Sequence, residues 1–194
     1  HEGGYSAFRA DITEKCTEEF NTIAIWCSNE KCDAIYPQSA DFTFYGGLYR
    51  GAHLICVPET HFELLHYGDL GIHAATEPAS WDKEDFMLHI RTKICGVEKD
   101  NQVIYQIFDE DGKEVASAAR PADSPDTSIP LYKPHRWDIK NSYQYTLKAL
   151  IMRNNECLDE VELKFGVRTF CCDPGRGFLI NGNCVPLRGV TRTR

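Results

Sequence analysis

The chain has 194 residues, 42% of them hydrophobic, which is enough for one large domain or two small ones around a buried core. Its 29 acidic residues outnumber 21 basic ones, for a formal net charge of -8, and no window interleaves Lys and Arg with aromatics as a phosphate-tracking groove requires. Nucleic acid is thus excluded as an expected partner; the longest apolar runs are strand-length, residue 1 does not open a signal peptide, and a soluble chain without a membrane partner is expected.

Helix periodicity is nearly missing, whereas alternation of apolar and polar residues recurs about every ten residues with turn signals between, so the expected class is all-β. The first part holds short strand candidates, "TIAIWC" (residues 22–27) and "GLYRGAHLICV" (47–57), separated by the aromatic, Gly-containing loop "YPQSADFTFYGG". The segment "ATEPASWDKED" (75–85), with Pro78, interrupts the alternation and marks a boundary between two modules. Beyond it, "FMLHIRTKICG" puts Phe86, Leu88, Ile90, Thr92 and Ile94 on one side of a strand. Then "QVIYQIF", "DEDG" and "KEVASAA" predict a hairpin with positive φ at Asp111 and Gly112. A second hairpin turns at "RNNE" between "YQYTLKALIM" and "CLDEVELKFGV", and a third, "FLINGNCVPL", turns at Asn181 and Gly182. From about Trp81 to Gly166 these strands suffice for a small immunoglobulin-like sandwich of about 100 residues; the part before residue 77 has too few to close one alone.

Nine cysteines is an odd number, and their spacing does not form the paired C-x-x-C pattern of a zinc site. Reduced thiols, mostly buried as small hydrophobes, are expected, with disulfides the alternative. His53, His61, His66, His73, His89 and His135 form no metal-ligand pattern in the sequence, so no metal site is predicted.

Two stretches carry a resemblance to a known family. The first is "HEGGYSAFRADIT" followed by "YPQSADFTFYGGLYRGAHLICVP"; the second is "FGVRTFCCDPGRGFLINGNCVPLRGV". Together, in this order, they resemble glycoside hydrolase family 2, the β-galactosidase family, whose members carry F-G-(I/V/F)-R, then G-F-x-L-N-G, then L-R-G-V-N-R-H leading into a catalytic (β/α)8 barrel. The resemblance implies three parts: residues 1–77 as the C-terminal part of a jelly-roll sugar-binding domain, 78–167 as an immunoglobulin-like β-sandwich, and 168–194 as the linker and hairpin that lead toward the barrel. It further implies that this chain is an internal, non-catalytic piece of a larger, cytoplasmic enzyme, with no cofactor of its own and with Na or Mg ions in the parent.

Retaining glycoside hydrolysis requires two carboxyl groups about 5 to 5.5 Å apart. In the resembling family both are glutamates of the barrel. The dipeptides Asn29-Glu30 and Asn155-Glu156 imitate the family's acid/base Asn-Glu, but neither lies at the matching position, and both read as solvated turns. The resemblance places Asp41 on a loop that family galactosidases project into the active site, where a carboxylate accepts hydrogen bonds from sugar hydroxyls; the alternative is an Asp that caps its own turn. Phe42 and Phe44, with Tyr45, are candidate sugar-stacking aromatics, the alternative being core packing. Arg50 is expected to pair with a carboxylate or backbone carbonyls, Gly46 and Gly47 to allow a bend, and His1, Gly3, Gly4 and Tyr5 to match the family's structural H-x-G-G-Y turn. "LRGVTRTR" departs from the family pattern, with Thr191 in place of Asn and Thr193 in place of a His that lines the sugar pocket.

The implied partner is a galactoside-type carbohydrate bound by the parent enzyme. Two other functions fit the residues, a stand-alone carbohydrate-binding module and a structural spacer. An incomplete jelly roll also predicts self-association through uncovered edges and apolar surface.

Overall fold

The computed structural model describes residues 3, 5–36, 39–40, 43–66 and 68–191. Two compact units divide the chain: residues 1–56 with 64–69, and residues 57–63 with 70–194.

The second unit is a β-sandwich. One sheet has three antiparallel strands in the order β2 (Ile72–Pro78), β3 (Phe86–Thr92), β7 (Thr127–Leu131). The other has four, in the order β6 (Glu114–Pro121), β5 (Gln102–Phe108), β8 (Tyr145–Arg153), β9 (Glu156–Phe165). Side chains alternate faces along a strand, so every second residue of β3, β5 and β8 enters the space between the sheets. Phe86, Leu88 and Ile90 meet Val103, Tyr105, Ile107, Leu147, Ala149 and Ile151 there, all buried. The sandwich also takes in residues 72–77, which the sequence assigned to the first module.

Two hairpins have the expected two-residue turns. Asn154 and Asn155 (φ 49° and 65°) join β8 to β9, and Asn181 and Gly182 (φ 50° and 79°) join β11 (Gly177–Ile180) to β12 (Asn183–Cys184). Positive φ at both central residues matches the twist of the flanking strands, and Asn and Gly tolerate it best. The β5–β6 turn differs from expectation, because only Gly112 has positive φ. Asp109 Oδ1 accepts from the N–H groups of Asp111 and Lys113, at 3.1 and 2.9 Å, and this ties a longer loop that needs a single left-handed residue.

Two short elements fasten the end of the sandwich. β1 (His61–Phe62) pairs with β4 (Ile94–Cys95), and buried Phe62 donates its N–H to Asp159 Oδ2 on β9 at 2.9 Å. Thr60 Oγ1 donates to the Gly96 carbonyl at 2.6 Å. Residues 57–63 thus form a strap that lays one aromatic ring over the core.

At the same end Tyr105, fully buried, donates its hydroxyl to the Pro125 carbonyl at 2.9 Å and lies 2.7 Å from Thr92 Oγ1. Burial pushes its phenol up to about 12. Tyr105→Phe should leave a carbonyl and a hydroxyl short of a partner and cost about 1–3 kcal/mol, read as a lower urea midpoint at unchanged slope. An unmoved midpoint would show that these groups re-pair.

The first unit forms no β-strand among its described residues and carries one 3-10 turn, Thr13–Lys15. The strands expected at 22–27 and 47–57 are irregular here, with Ile23 and Trp26 exposed. Alternation alone makes no strand: the backbone N–H and C=O groups need a neighbouring strand to pair with. The cysteine expectation is likewise corrected. Cys16, Cys27, Cys32, Cys56, Cys157, Cys171, Cys172 and Cys184 are exposed free thiols, and Cys95 is partly buried. Burial requires a second layer over a strand, and these eight lie in irregular segments, on the edge strand β9 or on a small single-layer sheet.

Candidate functional site

Asp41 and Phe42 lie outside the described residues, as does Thr193. Phe44, the third predicted sugar contact, is partly buried, and its carbonyl accepts from Asn29 Nδ2 at 3.1 Å. Asn29, which the sequence reads as a solvated turn residue, is therefore a tie between two loops. The same amide lies against Gly46, where an added Cβ would stand 3.3 Å from Asn29 Cγ, and Gly47 supplies the bend with φ +92°. Arg50 donates to the Tyr5 carbonyl at 2.9 Å, which joins the G-L-Y-R and H-x-G-G-Y segments as expected of a carbonyl-pairing arginine. Arg9 donates to the carbonyls of Leu64 and Asp69, at 2.9 and 2.7 Å; partners more than fifty residues away left no signal in the sequence.

The F-G-V-R segment builds the most distinctive surface of the second unit. Phe165 is buried and stacks on Tyr145 with ring centroids 5.7 Å apart, and Val167 is fully buried. A Cβ on Gly166 would come within 2.9 Å of Trp137 Cβ, so glycine is what allows this close approach. Arg168 then lays its guanidinium 4.7 Å from the Trp137 ring centroid. The order of the four residues follows from these neighbours: core, close approach, core, aromatic stack.

The chain continues into a three-stranded sheet of β10 (Phe170–Asp173), β11 and β12. Asn181 locks this sheet to the sandwich. Its Oδ1 accepts from Thr169 N at 3.0 Å, its Nδ2 donates to the Trp137 carbonyl at 3.0 Å, and its own N–H donates to the Thr169 carbonyl at 2.9 Å. The sequence identified Asn181 only as a turn former. Trp137, Arg168, Phe170, Phe178 and Ile180 line an open groove of about 380 Å³. Those five side chains offer one cation and an apolar, largely aromatic wall. None of these five residues carries a carboxyl group, whereas retaining glycoside hydrolysis uses two.

Two other groups have the residue types of a site without its surroundings. His89 lies 2.8 Å from Ser128 Oγ through Nδ1 and 2.8 Å from Glu77 Oε1 through Nε2. The row crosses the outward face of the β2-β3-β7 sheet, open to water, and works as a cross-strand polar ladder. Cys95 Sγ donates to Glu63 Oε2 at 3.1 Å, and burial followed by that carboxylate pushes its thiol up to about 11. Cys95 should therefore be the last cysteine alkylated by iodoacetamide at pH 8, severalfold slower than Cys171 or Cys184, since the thiolate is the reacting form. Equal labelling by peptide mass spectrometry would contradict this.

Sandwich, glycine-dependent F-G-V-R corner and attached three-stranded sheet define an all-β unit. Residues 76–168, which hold the strands of the sandwich, match the family model described as Glycosyl hydrolases family 2. The chain is 29% identical to a β-glucuronidase of Bacteroides fragilis, over 99% of this chain and 29% of that protein. It is 28% identical to a β-galactosidase of Bacteroides ovatus, over 96% of this chain and 22% of that protein. Among solved structures, the FMN-binding β-glucuronidase from Facaelibacterium prausnitzii L2-6 superposes with a TM-score of 0.87 at 42% identity, covering 99% of this chain and 30% of that one. The chain thus spans less than a third of the length of these relatives.

Proposed function

We propose that the chain is the non-catalytic β portion of a longer retaining family-2 glycosidase, and that it supports and partly walls an active site whose glutamates lie elsewhere in that enzyme. The observation that carries this reading is the 42% identity maintained across 99% of the chain to a protein described as a β-glucuronidase. That relative favours a terminal β-glucuronide as substrate over the galactoside implied by the sequence motifs. The β-galactoside remains the second reading, favoured by relatives named β-galactosidase at 28% and 26% identity. In this reading Asp41, with Phe42 and Phe44 beside it, contributes to the sugar wall. Any Na or Mg ion belongs to the parent outside these residues, and the location is cytoplasmic.

The test is hydrolysis of chromogenic β-glucuronide and β-galactoside by the 194-residue chain and by the longer product of its gene. Activity is expected only in the longer protein, higher on the glucuronide. Asp41→Ala there should lower kcat/KM by about ten- to a hundredfold, the value of a charge-assisted hydrogen bond to a sugar hydroxyl. Hydrolysis by neither protein would reject the glycosidase reading, and an unchanged kcat/KM in the variant would remove Asp41 from the site.

A further inference from the structure

We infer that the free edge of β6 is a self-pairing surface, at which a second copy of this chain docks its own β6 antiparallel and joins two four-stranded sheets into one. The inference concerns the sandwich alone and does not depend on the glycosidase reading.

Three observations select this edge and this occupant. First, β6 ends its sheet, and among the described residues no strand pairs with its far side, so one row of backbone N–H and C=O groups faces water. Such a row is a template for another strand. Second, the other three edges of the sandwich are blunted: β7 is five residues long and includes Pro130, β2 ends in Glu77 and Pro78, and β9 holds Asp159, Glu160, Glu162 and Lys164. β6 instead runs through Val115, Ala116, Ser117, Ala118 and Ala119 without a charge or a proline, and its pairing with β5 is regular from Ala116 to Pro121. These mostly small side chains leave the edge open to a neighbouring backbone. Third, the charges of β6 lie at its two ends and are opposite in sign, Glu114 at the start and Arg120 near the finish. Antiparallel pairing with a copy sets each Glu114 end against an Arg120 end, whereas parallel pairing would set like against like.

Face and register then agree. Ala116 and Ala118 lie opposite Ile107 and Tyr105, both buried in the core, whereas Ser117 lies opposite Gln106 on the outer face. A twofold axis between Ser117 and Ser117 of the second copy sets Ala116 against Ala118 of that copy, so core side meets core side and the joined sheet keeps one apolar and one wet face. A one-residue slip would turn the faces against each other. An unrelated extended peptide would meet the same backbone row, but it has no feature of this chain to fix its register, and a second β6 has both the charges and the small residues that match.

Sedimentation velocity of the 194-residue chain from micromolar to near-millimolar concentration, run beside Ser117→Lys and Ser117→Glu, tests this. Ser117 is exposed, so neither new side chain enters the core. The parent chain should form a dimer. Each variant alone should dimerise severalfold more weakly, because two like charges then stand directly opposite on the axis, and an equimolar mixture of the two should restore the dimer. A parent chain that stays monomeric throughout would overturn the inference. A dimer that both variants keep unchanged would assign association to another surface and likewise overturn it, and loss in each variant without rescue in the mixture would reject the Ser117 axis. None of these outcomes reads glycoside hydrolysis, so the proposed function stands or falls separately.

Discussion

Gly96→Ala should lower the stability of the sandwich unit by about 3–5 kcal/mol, the sum of a left-handed alanine and loss of the strap it touches. Gly96 has φ +63°, and a Cβ built there would fall 2.2 Å from the Glu59 carbonyl oxygen and 2.8 Å from its carbon. Both neighbours are backbone, so no side chain can swing aside. Relief requires the 57–63 strap to move, which breaks the Thr60 to Gly96 hydrogen bond and withdraws Phe62, 2% exposed, from the end of the core. Urea unfolding followed by tryptophan fluorescence measures the loss, and amide exchange at Phe62 reports whether the strap has lifted. A change below about 1 kcal/mol would mean that the strap yields without losing its seat, contrary to the close packing of such interiors.

Local signals in the sequence suffice where a strand is long or a turn narrows the choice of residue. Strands β3, β5, β8 and β9 were legible because each is seven or more residues long with one face buried, or half-buried in β9, so alternation is sustained. The Asn154-Asn155 and Asn181-Gly182 turns were legible because their left-handed backbone narrows the choice of residue. β1 was not, since two residues cannot display a period and its pairing with Ile94–Cys95 is set by tertiary contacts. The same limit hid the second role of Asn181 and the Asn29 tie to Phe44, both made by side-chain amides across long sequence separations. Resemblance identified the F-G-V-R segment without a cause. The cause is physical and local to Trp137: glycine clears room for the indole, and arginine covers it.

Phe86→Ala should cost about 3–5 kcal/mol, from the cavity and transfer loss of a large buried ring. Phe86 is 1% exposed at the start of β3, opposite Leu131 on β7 and Pro78 on β2. Its ring also lies 5.2 Å beneath the Arg136 guanidinium, which donates to the Lys83 carbonyl at 2.9 Å. Arg136 pairs with Val167 across an isolated bridge, and the next residue is Trp137, so the loss reaches the loop that builds the groove. Phe86→Leu keeps most of the volume and should cost less than about 1.5 kcal/mol, while removing the aromatic face under Arg136. The pair separates two roles for the ring. If it acts only as core filler, Leu should leave proteolytic cleavage of the 132–144 loop unchanged and Ala should accelerate it. If the ring also holds Arg136, both variants should be cut faster than the parent, and equal cleavage of parent and Leu variant would reject that second role.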